Sequence, residues 1–366
     1  MKVETGKMID QDEIARLAGV SQSTVSLVFN GKTTVAEKTR QRVLEVARMA
    51  GYHPNMNIEA RRLASRRSKT PPQFKNIGLV WSVNYGEFLH NSFFRMIFEG
   101  ILAEGFRSKV SISHLFFSIE DRESFLLHAP VDGFIFPIFM PEMHGVAPVL
   151  GRPVVVILSG REGVADVTVD NRQTVEMAFD LLYEAGHRRI GYIGPAVRDF
   201  PMAHDRWDAF SRRVVERGLV SHIQDVVLSP VAGYRELGAY GLEQILGQPT
   251  HPTAIIAYND MTALGVLDRA RERGIRVPED LSVVGIDGIP EGERSEPPLT
   301  TVSIDLKGLG AAAVRLLDEF ISKGEYHAVQ RVVDLRIEER GSVKRILPGG
   351  PAKGFNIGAF EADTAS

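Results

Sequence analysis

The first regular pattern of apolar and polar positions lies in residues 10–30, DQDEIARLAGVSQSTVSLVFN. Apolar side chains recur there at the spacing of one helix face, both before and after Gly19. Gly19 can take a positive φ and end the first helix, and the hydroxyl of Ser21 can cap a second one. The pattern therefore predicts two short helices joined by a tight turn. The positions expected to be buried are Ile14, Leu17, Ala18, Val25 and Val28.

The second of these helices has a mostly polar outer face. Gln22, Ser23, Ser26 and Leu27 are left there once the apolar side is turned inward. A short helix with such a face, set across a first helix by a tight turn, has the geometry that enters a DNA major groove. A plain helical hairpin within a larger core would show the same apolar spacing, so the two helices alone leave both interpretations open.

A third helix is predicted over residues 32–50, KTTVAEKTRQRVLEVARMA, because apolar residues again return every three or four positions. Gly51 can end this helix, and Pro54 prevents its continuation. The residues predicted to form its buried side are Val43, Leu44, Val46 and Ala47. Three helices make a small N-terminal domain, which favours the DNA-binding interpretation.

From residue 75 the pattern changes to short apolar runs that alternate with helical segments, such as TAIIAYND followed by MTALGVLDRARERG. Strands alternating with helices of this length form a doubly wound parallel sheet. The pairs are too numerous for one such sheet, so an α/β architecture with two similar lobes is predicted. A ligand would bind in the crevice at the carboxyl ends of the strands.

Composition and charge narrow the class of protein. The chain has 366 residues, too many for one core, and no cysteine, which excludes disulfides, thiolate catalysis and cysteine metal sites. Residues 1–69 hold thirteen Lys and Arg against seven Asp and Glu, a charge of +6, which leaves −9 for the rest of the chain. A basic head on an acidic body suggests a polyanion partner for the head, although a solvated surface would explain the same asymmetry.

The sequence contains no run of about 18 apolar residues, so no membrane span is expected. Its first residues, MKVETGKMIDQDE, are polar where a signal peptide would have an apolar core. A cytoplasmic protein is therefore expected.

Two stretches, IARLAGVSQSTVSLVFNGK and TRQRVLEVARMAGYHPN, closely resemble the DNA-binding headpiece of the LacI/GalR family of transcriptional regulators. Later blocks, such as TAIIAYNDMTALGVLDRARERGIRVPEDLSVVGIDG and PPLTTVSID, are similar to the family's periplasmic-binding-protein-like effector domain. The resemblance covers nearly all of residues 8–340. It implies a sequence-specific repressor that binds a near-palindromic operator as a homodimer and responds to a small effector held between two lobes.

The resemblance also divides the chain into segments. We expect a disordered leader at 1–7, a helix-turn-helix headpiece at 8–53, a hinge helix and linker at 54–73, an effector domain at 74–340 and a tail at 341–366. The effector domain would cross between its lobes three times. Its first lobe would take about 75–165 and 293–325, and its second lobe about 166–290 and 326–340.

Candidate DNA contacts follow from the headpiece. Gln22 and Ser23 open the expected recognition helix and can reach base edges. Ser26 and Leu27 lie further along the same face, and Leu27 stands where many relatives carry Arg. The expected phosphate contacts are Ser21, Thr24 and Asn30. Helix capping is an alternative role for the first two of these.

The segment ARRL at 60–63 resembles the family's hinge helix, which inserts a leucine into the minor groove. Leu63 is the matching residue, and its apolar wedge would bend the DNA towards the protein. Arg61 and Arg62 would lie along phosphates. The preceding MNIE makes this segment about two residues longer than the usual pattern, and a flexible basic linker is the alternative.

Polar residues of the second lobe match the family's effector pocket. Arg206 matches the arginine that binds effector hydroxyls or carboxylates, and Asp287 matches an aspartate at a strand end. Tyr234 stands where an aromatic ring often stacks on the ligand. Asn259 and Asp260 match the asparagine–aspartate pair, with helix capping as the alternative because both precede a helical segment.

The first lobe contributes Asn91, Phe93 and Phe94, which match the family's N-x-F-F. Other aromatic residues on this side, such as Trp81 and Phe136, are expected mainly in the core. The expected effector is a sugar or sugar derivative, with a nucleobase as second choice because rings can stack on either. No cofactor and no metal site are expected.

Two other functional classes are alternatives. A periplasmic-type solute-binding protein would share the two lobes, but the headpiece and the polar N-terminus argue against it. A sugar-acting enzyme without a DNA role is the second. The sequence contains no GxSxG, Walker loop or HExxH motif, so no catalytic machinery of those kinds supports an enzyme.

Overall fold

The chain divides into two compact units. The structure, a computed structural model, describes residues 11–29, 35–49, 75–81, 91–116, 126, 129–137, 152–159, 163–196, 201–219, 225–230 and 233–346. Unit 1 comprises Met1–Glu87, Ile101–Asp166 and Gly310–Gln330, and unit 2 comprises Phe88–Gly100, Val167–Leu309 and Arg331–Ser366. The expected leader at 1–7 and the hinge segment at 54–73 lie outside the described residues.

The N-terminal domain contains three helices in the described residues: α1 Gln11–Ala18, α2 Gln22–Phe29 and α3 Glu37–Met49. Gly19 has φ +63°, and its N–H donates to the carbonyl of Arg16 at 3.3 Å, so the chain leaves α1 through a left-handed residue as predicted. One apolar cluster joins the three helices, and its buried members are Ile14, Ala15, Ala18, Val25, Val28, Val43 and Ala47.

The third helix differs in two respects from its prediction. It begins at Glu37, later than the predicted start at residue 32. Leu44, predicted to be buried, is 44% exposed. Val43 and Ala47, four residues apart, share the inner face, whereas Leu44 is turned by about 100° from Val43 and faces solvent.

The first of two six-stranded sheets has the order β11-β5-β4-β3-β1-β2. Its strands are β1 Asn76–Trp81, β2 Ser111–Phe116, β3 Gly133–Phe136, β4 Val154–Ile157, β5 Ala165–Thr168 and β11 Gln330–Val332. β1 pairs in parallel with both β2 and β3, and β3 with β4. The helices α4 Ser92–Arg107 and α10 Leu306–Lys323 each run from unit 2 into unit 1.

The second sheet has the order β12-β10-β9-β8-β6-β7. Its strands are β6 Ile190–Pro195, β7 Val226–Ser229, β8 Ala254–Ala257, β9 Ser282–Asp287, β10 Thr300–Ile304 and β12 Leu335–Glu338. Its helices are α5 Asn171–Glu184, α6 Pro201–Glu216, α7 Tyr234–Leu246, α8 Asp260–Glu272 and the short α9 Pro290–Glu293. β6 pairs in parallel with both β7 and β8, which makes its carboxyl end a switch point of the strand order.

The chain passes between the two sheets three times, after β5, after β10 and after β11. The places where the chain passes from one sheet to the other correct the predicted lobe boundaries. β10 belongs to the second sheet, because its fully buried strand pairs in parallel with β9, so the passage falls beyond Ile304 and not near 293. β11 belongs to the first sheet although it lies in the segment assigned to the second lobe; its three residues are all exposed and carry no apolar signal.

The start of the predicted tail is part of unit 2. Ser342 is fully buried, and its hydroxyl accepts from the N–H of Thr300 at 2.8 Å and donates to the carbonyl of Val283 at 2.6 Å. The N–H of Ile346 donates to the carbonyl of Ala185 at 2.7 Å. The packed domain therefore extends to residue 346, six residues beyond the predicted end. Among the helices of the described residues, none is both long and apolar enough to cross a membrane.

Candidate nucleic-acid interface and effector site

The first turn of α2 is held by the side chain that precedes it. Ser21 Oγ accepts from the N–H of Thr24 at 3.2 Å, and it also lies 2.8 Å from the hydroxyls of Ser23 and Thr24. The capping role predicted as an alternative for Ser21 is therefore confirmed. A phosphate contact would have to share these hydroxyls with the helix cap.

The outer face of α2 is on the solvent side, as the apolar pattern predicted. Gln22 and Ser23 are exposed, Leu27 is 39% exposed and Ser26 is half-buried. The amide of Gln22 is 3.3 Å from Gln11 Oε1, a long hydrogen bond that a base edge could replace. The remaining candidate DNA contacts, namely Asn30, Arg61, Arg62 and Leu63, lie outside the described residues.

In unit 2, Arg206 points inward from α6 and is only 4% exposed. Its Nε donates to Asn171 Oδ1 at 3.0 Å and its Nη1 to the carbonyl of Tyr258 at 2.5 Å. The guanidinium carbon also lies 4.8 Å from the centre of the Tyr258 ring. Among the described residues, none accepts a hydrogen bond from Nη2.

Asp287 is the last residue of β9 and has φ +137°, a region that favours glycine. Its carboxyl is buried, and no described residue donates a hydrogen bond to it. Burial raises the pKa of Asp287 well above its ordinary value; the positive charge of Arg206 opposes the shift, and the carboxylate of Asp260 adds to it. Arg206 and Asp287 are thus a buried donor and a buried acceptor that influence each other electrostatically.

Tyr234 opens α7 and stacks on Tyr258, with ring centres 5.7 Å apart and planes at 24°. It is 37% exposed, so one part of the ring reaches solvent. Desolvation, followed by the neighbouring Tyr258 and Asp287, raises the pKa of Tyr234, and its phenol stays neutral at physiological pH. The ring therefore offers an uncharged aromatic surface next to Arg206 and Asp287.

Asn259 is the N-cap of α8. Its Oδ1 accepts from the backbone N–H of Thr262 at 2.9 Å and from the hydroxyl of Thr262 at 2.8 Å. The capping alternative is confirmed, and only the amide nitrogen of Asn259 remains for a ligand.

Asp260, the next residue, is fully buried. Its Oδ2 accepts from the N–H groups of Gly288 and Ile289 at 2.8 and 2.9 Å, and its Oδ1 accepts from the hydroxyl of Thr301 at 2.6 Å. Both carboxylate oxygens are thus bonded within the protein.

The three candidates that were predicted in the first lobe lie at the start of α4, in the stretch Phe88–Gly100 that belongs to unit 2. Asn91 Oδ1 accepts from the N–H of Phe93 at 3.0 Å, which caps the helix. The rings of Phe93 and Phe94 meet edge to face at 5.2 Å and are half-buried. Among the described residues, no hydrogen bond or ring contact joins Asn91 or Phe93 to Arg206 or Asp287.

Two residues of the Arg206 cluster were missed by the sequence prediction. Asn171 orients the guanidinium through Nε, and Tyr258 contacts Arg206 through both its carbonyl and its ring. Tyr258 directly follows the buried strand β8, and Asn171 opens α5 three residues after the end of the buried strand β5. Their position at strand ends was the available signal, but amide and phenol groups are common there for purely structural reasons.

Comparison with known proteins agrees with this arrangement. The family model of bacterial regulatory proteins, lacI family, matches residues 11–55, and that of the periplasmic binding protein-like domain matches residues 179–343. Catabolite control protein A of Priestia megaterium is 30% identical over 343 residues, which cover 91% of this chain and 98% of that protein. The transcriptional repressor CytR of Escherichia coli (strain K12) is 28% identical over 348 residues, with 92% and 96% covered.

A solved structure of a complex of the transcriptional regulator CelR with cellobiose aligns with a TM-score of 0.67 and 25% identity, covering 91% of this chain and 99% of that one. The headpiece, the two parallel-dominated sheets and these matches define a DNA-binding transcriptional regulator. The chain belongs to the LacI family of bacterial regulatory proteins, as the sequence motifs predicted.

Proposed function

We propose that this protein represses transcription by binding a near-palindromic operator as a homodimer, and that a hydroxyl-rich small molecule bound by Arg206 and Asp287 changes its operator affinity. The observation that carries the effector part is a buried guanidinium and a buried carboxyl, those of Arg206 and Asp287, whose hydrogen-bonding positions are not all taken up by described residues. Buried polar groups normally form hydrogen bonds, and leaving one without a partner costs free energy. A ligand that forms hydrogen bonds with both groups is therefore favoured.

The chemistry of these groups indicates the ligand class. Arg206 can donate from Nη2, and Asp287 can accept two hydroxyl hydrogens, so together they fix the orientation of a polyol. The Tyr234 ring supplies a flat apolar surface of the kind that packs on a sugar ring or a nucleobase. A sugar or sugar derivative is the first choice and a nucleobase the second. Cellobiose is the first probe because CelR binds it.

The DNA part rests on the exposed face of α2. Gln22 and Ser23 would read base edges, Ser26 and Leu27 would lie along the groove, and Ser21 and Thr24 would contact phosphates while capping the helix. One such helix covers only half a site, so two-fold symmetric dimers would read two half-sites. Asn30, Arg61, Arg62 and Leu63 remain proposed contacts on the grounds of the resemblance.

Control by an effector requires different effector affinities in the operator-bound and free states, with a coupling of about 1–3 kcal/mol in typical cases. Because the relatives regulate transcription and the proposed site has groups for binding only, we propose no catalytic turnover. A regulator of this kind works on chromosomal DNA, so we place it in the cytoplasm.

The proposal is tested with full-length protein and a randomised duplex library. Selection should enrich a two-fold symmetric site whose half-sites are about one helical turn apart, roughly 10 base pairs. Operator titration with and without cellobiose, ribose or adenosine then measures the effector response. Enrichment of an asymmetric site bound by one subunit would contradict the dimer, and no shift with any of the three compounds would contradict the ligand class.

A further inference from the structure

We propose that Asp260 is a positioning residue, which holds the backbone of Asp287 in its ligand-binding conformation and does not itself touch the effector. The inference rests on the proposed function, in that Asp287 is taken as an effector ligand. It assigns different roles to the two acidic candidates, Asp260 and Asp287.

The backbone that carries Asp287 would not keep its shape unaided. Asp287 has φ +137° and Gly288 has φ +79°, so two successive residues lie outside the region that L-residues prefer. Gly288 cannot be exchanged for a larger residue, because a Cβ there would lie 2.2 Å from Ser303 Oγ. Such a turn persists only where the surrounding structure holds it in place.

Asp260 supplies the groups that hold this turn. Its Oδ2 accepts from two consecutive N–H groups, those of Gly288 at 2.8 Å and Ile289 at 2.9 Å, directly after Asp287. Its Oδ1 is fixed in turn by the Thr301 hydroxyl at 2.6 Å. Three elements therefore meet at one carboxylate: the start of α8, the end of β9 and the strand β10.

The surroundings are shaped for that carboxylate. Gly285 on β9 leaves the necessary room, since a Cβ at this position would lie 2.2 Å from Asp260 Oδ1. Asp260 is also the first residue of a 13-residue helix, whose N-terminal dipole favours negative charge. Its complete burial keeps a ligand away from it, whereas the Asp287 carboxylate has no donor among the described residues.

Two substitutions separate positioning from the mere presence of a buried acid. Asp260→Ala removes all three hydrogen bonds. Asp260→Asn keeps an oxygen that can accept from Gly288 and Ile289, and its amide nitrogen can donate to Thr301. The matched control is Asp225→Ala, since Asp225 is equally buried but is bound by Arg189 at 2.6 and 2.7 Å.

The first readout is the backbone of Asp287 in crystal structures of the ligand-free full-length variants. We expect Asp287 to leave the positive φ region in Asp260→Ala and to keep it in Asp260→Asn and Asp225→Ala. The second readout is calorimetry with cellobiose. Affinity should fall about tenfold or more in Asp260→Ala, equivalent to about 1.4 kcal/mol, and stay within about threefold in the other two.

An unchanged Asp287 φ in Asp260→Ala would overturn the inference, as would an unchanged cellobiose affinity when the backbone has moved. If the wild-type protein does not bind cellobiose, the proposed ligand fails and the backbone measurement still decides the role of Asp260. Should Asp260→Ala not fold, Thr301→Val loosens the same carboxylate. Amide exchange at Gly288 and Ile289 should then be about tenfold faster than in the wild type, as for a bond weakened by about 1.4 kcal/mol; equal rates would overturn the inference.

Discussion

The guanidinium of Arg206 contacts Tyr258 in two ways, by donating from Nη1 to its carbonyl at 2.5 Å and by lying 4.8 Å from the centre of its ring. The carbonyl belongs to the residue that follows β8, and the ring also stacks on Tyr234. One arginine from α6 thus fixes both the end of a strand and an aromatic pair, and its remaining edge faces the proposed ligand.

Arg206→Lys is therefore expected to weaken effector binding by more than tenfold, a loss of at least about 1.4 kcal/mol. Lysine keeps the charge but has no planar fork, so it cannot bond Asn171, the Tyr258 carbonyl and a ligand together. Calorimetry with whichever of cellobiose, ribose and adenosine changes operator binding measures the loss. Arg235→Lys, in an exposed pair with Asp268, is the control and should leave the affinity unchanged.

Asp287→Ala is expected to abolish the effector response and to leave operator affinity without effector within about twofold, because groove contacts come from the headpiece. Leu63→Ala should do the reverse and weaken specific DNA binding while effector affinity stays nearly intact. Operator titrations with and without ligand test both. If Asp287→Ala binds the effector as well as the wild type does, the pocket is assigned to the wrong residues.

Gln22→Ala should change sequence preference at one base pair in each half-site, with a cost of about 1–3 kcal/mol at that position. Its amide is exposed at the start of α2 and gives up only a 3.3 Å contact with Gln11 on binding a base. Binding-site selection on the variant gives the answer. Gln244→Ala, on the exposed side of α7, should select the wild-type site. An unaltered preference in Gln22→Ala would remove Gln22 from the base-reading residues.

We expect the folded protein to lose stability in acid because of the buried His187. Burial lowers its pKa to about 4, against an ordinary value of 6.5, while its Nε2 lies 3.2 Å from the carbonyl of Lys344. The folded protein thus keeps the ring neutral where the unfolded chain protonates it. This contribution is complete above pH 6.5 and is lost as pH falls from about 6.5 to about 4, by up to roughly 3 kcal/mol.

Denaturant unfolding of His187→Gln should show a flatter pH dependence than the wild type over that interval. The two proteins have to be compared because Asp260 has an opposing effect. Burial raises the pKa of Asp260 to about 6, so its protonation stabilises the folded state as the pH falls below 6. His204→Gln, on the exposed side of α6, should keep the wild-type slope. Parallel curves for wild type and His187→Gln would show that His187 has no such role.

Gly265→Ala should destabilise the protein by about 1–3 kcal/mol or more, since added atoms in a packed interface force the backbone to shift. A Cβ at Gly265 in α8 would lie 2.0 Å from the carbonyl oxygen of Arg235 in α7. Gly247→Ala is the matched control, because the nearest atoms to its Cβ would be at 3.6 Å and its φ is −68°. It should be neutral or slightly stabilising. Equal unfolding midpoints for the two variants would contradict close packing of α7 on α8.

The sequence by itself determined the elements whose signals are local. Gly19 ends α1 because a residue without Cβ takes a positive φ at no steric cost, and Val25 and Val28 face inward because they share one side of a helix. Alternating strands and helices determined the class of fold. The motifs determined the family, the resemblance indicated Arg206, and a strand end indicated Asp287.

Only the tertiary structure decided which of two compatible roles a residue has. Leu44 is as apolar as Val43, and only the packing of the three helices leaves it exposed. β10 joins the second sheet through pairing with β9, a contact between distant segments that no local pattern encodes. Asp260 and Asp287 are both acidic residues that follow or end buried strands. The first accepts from the N–H groups of Gly288 and Ile289 after β9 and from the Thr301 hydroxyl of β10, whereas the second has no donor among the described residues. Hydrogen bonding and burial depend on which segments meet in space, and helical and strand periodicity carry no information about that.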